Sequence, residues 1–144
     1  MVTMENFEPN VLVCVTDQPS SERLIRAGAE IAKENNLALN VVSVLPKSFV
    51  SESTAKILQG LYDTANSLGA EMFFYFNSDP ALTIAVHARK KGTVHIVSGK
   101  PGANSNMFIE TIRGLLPQLP LSIVDSDERI ITIPAVSTAN QPSR

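Results

Sequence analysis

VLVCVTDQPSSERLIRAGAEIAKENN, residues 11 to 36, decides how this chain is built. Its first five residues, Val11 to Val15, form an unbroken apolar run. Such a run suits a strand buried on both faces, as in parallel sheets whose two sides are covered by helices. Thr16-Asp17-Gln18-Pro19-Ser20-Ser21 breaks the strand, and either Ser20 or Ser21 can cap a helix by accepting from the free N–H groups of its first turn. Leu24, Ile25, Gly28, Ile31 and Ala32 then fall on one helical stripe, which Asn35-Asn36 ends. Strand, polar turn and amphipathic helix are the first half of a βαβ unit.

The same alternation runs on through the chain. Leu37 to Leu45 is predicted as a second strand stopped by Pro46, and Ser51 or Ser53 opens a helix with the stripe Ile57, Leu58, Leu61, Ala65 and Leu68. Glu71 to Phe76 is a third strand. Asn77-Ser78-Asp79-Pro80 sets a capping Asp before a Pro at the first helical position, and the next helix closes on Arg89, Lys90, Lys91 and Gly92. Thr93 to Ser98 is a fourth strand and Leu121 to Val124 a fifth, with a helix through Phe108, Ile112, Leu115 and Leu116 between them. Right-handed crossovers then give an α/β fold. The expectation is a doubly wound open sheet of five parallel strands in the order 3-2-1-4-5, helices on both faces, and Arg129 to Ile133 as an extra edge strand. Residues 1–9 are read as a lead, 10–134 as the domain and 135–144 as a flexible tail.

Composition narrows the function classes. With 44% hydrophobic and 18% charged residues in 144, the chain suits one globular domain with a covered core. A net charge of −2 argues against a nucleic-acid partner, since a reader of phosphate backbones carries a surplus of Lys and Arg. No apolar run is long enough to suggest a membrane span, and the first residues lack the pattern of a signal peptide, so the expected location is cytoplasmic. The one cysteine, Cys14, lies in the first strand and reads as a small buried side chain.

In doubly wound sheets, ligands sit at the carboxyl ends of the strands, here Thr16-Asp17, Val44-Leu45 and Ser98-Gly99. Gly99-Lys100-Pro101-Gly102-Ala103-Asn104-Ser105 follows a buried strand and precedes a helix. Its glycines let backbone N–H groups approach an anion at the positive end of a helix, with Lys100, Asn104 and Ser105 as side-chain donors. The alternative is that Gly99 and Gly102 simply make a tight turn. The spacing fits neither a Walker A motif nor a dinucleotide fingerprint. His95, in the fourth strand, reads as a near-core residue with one hydrogen bond, and His87 as a surface or helix-packing residue. No metal spacing or nucleophile elbow appears, so no catalytic residue is assigned and the chain is expected not to be an enzyme.

Two stretches together resemble the universal stress protein (UspA-like) family. The opening quoted above looks particularly like the stress-protein domain of potassium-sensor histidine kinases. NSDPALTIAVHARKKGTVHIVSGKPG, residues 77 to 102, is similar to the family's Gly-Asp-Pro, helix, strand, Gly-x-x-Gly run. The resemblance covers about Asn10 to Val124. It implies a Rossmann-like regulatory module of stress response or signalling, a homodimer paired near its last strand, and ATP, AMP or a related adenine nucleotide as ligand. Asp17 then contacts a ribose hydroxyl, with Thr16 beside it, while Val42 to Val44 offers backbone groups to adenine. Gly99 and Gly102 match the ATP-binding branch, but its later Gly-Ser or Gly-Thr is replaced by Ile112-Arg113, and Gly114 is followed by Leu115. That removes donors expected for the distal phosphates. Thr16 and Gln18 also stand where some kinase-associated members carry a Ser-x-Ser loop for a cyclic dinucleotide. The alternative function is a nucleotide-free homodimeric interaction module.

Overall fold

A computed structural model describes residues 8–47, 51–100 and 106–136. Strand β1 (Asn10–Val15) leads through a 3-10 turn (Pro19–Ser21) into α1 (Glu22–Glu34), and β2 (Ala38–Leu45) into α2 (Glu52–Ser67). β3 (Glu71–Phe76), α3 (Pro80–Lys91), β4 (Thr93–Gly99), α4 (Asn106–Leu115), β5 (Leu121–Val124) and β6 (Ile130–Ile133) follow. They form one sheet in the order β3-β2-β1-β4-β5-β6. The first five strands run parallel, and β6 pairs antiparallel with β5 as an added edge. The doubly wound order expected from the sequence is the order observed.

The punctuation residues act as their chemistry requires. Asp79 accepts from the Leu82 N–H at 3.2 Å, Pro80 occupies the first helical position, and Gly92 ends α3 at φ 74°, a left-handed geometry that suits glycine. Of the two serines offered for α2, Ser51 is the cap, accepting from the Thr54 N–H at 3.1 Å. α1 differs: neither serine caps it through its side chain. The Ser21 hydroxyl turns back and accepts from the Thr16 N–H at 3.3 Å, pinning the turn after β1.

Two cores sandwich the sheet. Leu24 and Ile25 of α1 and Leu58, Leu61 and Ala65 of α2 cover Val11, Val13 and Val41. Ala81, Ile84, Ala85 and Ala88 of α3, with Ile112 and Leu116, cover Leu12, Cys14, Val42 and Ile96 on the other side. Alternate residues of one strand thus feed opposite cores, which is why VLVCV carries no polar position. Gly28 brings α1 onto β1: a Cβ there would overlap Val13 Cγ2 and touch Leu39. Gly28→Ala adds up to about 1 kcal/mol of helix propensity. The overlap with a fully buried valine outweighs it, so a net loss of about 1–2 kcal/mol is expected in urea denaturation. A gain in stability would refute this account of the glycine.

Of the two readings offered for His87, packing is the one observed: it is 2% exposed, its ring edge-on to Phe73 and Tyr75, with Nδ1 2.7 Å from the Tyr75 hydroxyl. His95 makes one hydrogen bond, Nε2 to Ser122 Oγ at 2.8 Å, and Ser122 Oγ lies 2.8 Å from Thr132 Oγ1 on β6. The lead and tail expected at residues 1–9 and 135–144 lie largely outside the described residues. The Val136 N–H still donates to the Pro117 carbonyl at 2.8 Å.

Candidate functional site

β1 and β4 are parallel neighbours at the middle of the sheet, with Cys14 in register with Ser98 and, on β2, with Val42. Their carboxyl ends therefore open at the same edge. The chain leaves β1 toward α1 on one face and β4 toward α4 on the other, so the loops diverge and leave a crevice between them. The crevice is a cleft of about 420 Å³. Cys14, Val15, Val44 and Ser98 form its floor. One wall is the turn after β1, with Thr16, Gln18, Ser20, Ser21 and Arg23; Pro80 and Ile84 of α3, Phe108 of α4, and Gly99 and Lys100 supply the rest.

The wall is amphipathic and its nearby charges are mostly cationic. Lys100 is exposed, its backbone N–H fixed on the Val124 carbonyl at 2.9 Å. Arg23 leaves the first turn of α1 and donates from Nε to the Asp125 carbonyl (3.2 Å) and from Nη1 to the Ser20 carbonyl (2.8 Å). N–H groups of Arg129 and Asp127 donate to the Asp125 carboxylate and, with the Arg129 and Lys100 charges, hold its pKa below the ordinary carboxylate value. On the floor, burial pushes the Cys14 thiol up to about 12, so it is a neutral packing group there.

The sequence-predicted residues divide into three sets. Thr16, Val44, Gly99 and Lys100 all line the cleft. Asp17 stands at the same end of the sheet but is not part of the cleft wall: it is exposed, and its carboxylate accepts from the Thr54 hydroxyl of α2 at 3.3 Å. Val42 lies one pleat deeper than Val44, wholly buried in the α3 core. Gly102, Asn104 and Ser105 lie outside the described residues. Arg23, Ile84 and Phe108 were missed. Ile84 and Phe108 read as core residues by their periodicity. Arg23 carried a signal: a cation in the first turn of a helix opposes the macrodipole. Among the described residues no cluster of three His, Cys, Asp or Glu could hold a metal, and no helix is long and apolar enough to cross a membrane.

No protein-family model matches the chain. By sequence it is 31% identical over 136 residues to the sensor protein KdpD of Mycobacterium tuberculosis (strain ATCC 25618 / H37Rv), an alignment covering 93% of this chain. The chain spans 16% of the length of that relative. By structure it is similar to a universal stress protein in complex with cAMP (TM-score 0.63, 18% identity, 83% of this chain and 98% of that one). It is also similar to the universal stress protein of Archaeoglobus fulgidus in complex with dAMP (TM-score 0.58, 19% identity, 82% and 98%). The chain thus has the universal-stress-protein fold and, along nearly its whole length, sequence likeness to a segment of the KdpD sensor proteins.

Proposed function

We propose that the chain is a universal-stress-protein-like regulatory module that binds an adenine nucleotide or a related phosphorylated small molecule without transforming it. The observation that carries this reading is the cleft where β1 and β4 end. Val44, Ile84 and Phe108 offer apolar surface for a base, Thr16 and Ser98 offer hydroxyls, and Lys100 and Arg23 offer positive charge. A few polar groups converging in an otherwise apolar concavity are the mark of a small-molecule site. Two solved proteins of the same fold, one with cAMP and one with dAMP, support an adenine nucleotide as ligand. The cleft residues offer binding groups rather than an activated nucleophile: its thiol is neutral, and both histidines hydrogen-bond to residues outside the cleft lining.

Calorimetry with AMP, cAMP, ATP and a cyclic dinucleotide tests the reading. Binding of at least one adenine nucleotide at micromolar concentration is expected, with a rise in Tm of a few degrees at saturation. No heat and no shift with any of them removes it.

One observation favours a second reading, a homodimeric interaction module. Among the described residues β6 is an edge strand with no partner on its outer side, Ile130 is 44% and Ile131 66% exposed, and an apolar open edge tends to acquire a partner. Light scattering at micromolar concentration decides it, a monomer counting against the dimer.

A further inference from the structure

We propose that Arg23, completed by Lys100, is the residue that reads the ligand's anionic group in this cleft, and that the two suit a single phosphate, as in a nucleoside monophosphate, rather than a triphosphate. This deepens the nucleotide reading and rests on it.

Arg23 stands where its charge is least welcome to its own helix, in a first turn whose free N–H groups are already positive. It is nonetheless held there. Two backbone carbonyls, of Asp125 and Ser20, take Nε and Nη1, which fixes the plane of the guanidinium. Nη2 makes no hydrogen bond among the described residues. The ion pairs of the described residues join Arg26 to Glu22 and Arg129 to Asp127, so neither Arg23 nor Lys100 has a carboxylate within salt-bridge distance there. The neighbouring acid, Asp125, accepts from two backbone N–H groups of its own turn through Oδ1 and lies beyond salt-bridge distance of both cations. A tethered guanidinium loses little freedom on binding, and its fork matches phosphate oxygens. Two cations offset the charge of one phosphate monoester, about −1.5 to −2 at neutral pH. A triphosphate brings more charge than they offset.

Titrations of AMP, ATP and adenosine into the intact chain and into Arg23→Gln and Lys100→Gln test this. The wild type is expected to bind AMP at least about 10-fold more tightly than adenosine, and no less tightly than ATP. Arg23→Gln is expected to weaken AMP about 10- to 100-fold and Lys100→Gln by about 3- to 10-fold, leaving adenosine unchanged in both. Because Arg23 also ties the β5–β6 turn, a circular dichroism melt accompanies each variant; if Arg23→Gln does not fold, Lys100→Gln decides. Unchanged AMP affinity in the folded variants overturns the assignment. Equal affinity of the wild type for AMP and adenosine overturns the phosphate clip while leaving a nucleoside cleft intact, and tighter ATP binding overturns the single phosphate. A wild type that binds none of the three removes the nucleotide reading and this inference together.

Discussion

Asn10→Ala is expected to lower the unfolding free energy by about 2–4 kcal/mol, among the largest effects of any polar substitution in the chain. Asn10 opens β1 and is 1% exposed. Its amide donates to the Glu8 and Lys91 carbonyls, both at 2.9 Å, and its carbonyl accepts from the Thr93 hydroxyl at 2.8 Å. One side chain thus ties the first strand to the end of α3 and the start of β4. Truncation takes this partner from a buried hydroxyl and two carbonyls and opens a small void, and burial without a partner costs more than the bonds contribute. A Tm lower by on the order of 10 °C is the corresponding thermal readout. Asn10→Ala/Thr93→Val, which removes the stranded hydroxyl, should recover part of the loss. A single variant as stable as the wild type would show that the knot does not matter.

Acid should weaken the fold through His87. Burial first, and the Lys91 charge second, push its pKa down from 6.5 to about 4. The Tyr75 hydroxyl faces Nδ1, Lys91 lies over Phe73 on the same flank, and Nε2 has no acceptor among the described residues. The unfolded chain takes up a proton below about pH 6.5 and the folded chain does not until about pH 4. Unfolding therefore becomes easier as pH falls through that window, by about 3 kcal/mol at its lower end. Urea denaturation at steps from pH 7 to pH 4 reads this slope, and His87→Phe should reduce it, leaving the part owed to His95, whose pKa burial also lowers. Glu22 and Asp125 have lowered pKa values, so their stabilising contributions fade only below the ordinary carboxylate range, which separates them from the histidine over most of the window. A slope unchanged in His87→Phe would assign the acid sensitivity elsewhere.

The sheet was legible because its signals are local. Unbroken apolar runs mark strands covered on both faces, and Asp79-Pro80 with Gly92 brackets a helix whatever surrounds it. The antiparallel direction of β6 was not legible, because Arg129 to Ile133 pairs by virtue of a turn in which Glu128 takes φ 64°. The sequence left His87 open between surface and packing, because only the packing of Phe73 and Tyr75 from the preceding strand decides that its side of α3 is buried. The cleft was half legible: strand ends and a glycine could be placed by topology. Asp17 lies outside the cleft lining and Arg23 within it, a matter of side-chain direction around the turn after β1 that no periodicity encodes.

The state of Cys14 bears on how the protein can be handled. It is the chain's one sulfhydryl, and with a pKa of about 12 it is almost wholly protonated at neutral pH, beneath the place where a ligand would sit. Alkylating reagents find almost no nucleophile there. A second cysteine introduced on the outer side of α2, at exposed Tyr62, would take a spectroscopic label in preference to it. The native sequence is thus already a near-silent background for site-directed labelling, with no need to disturb β1.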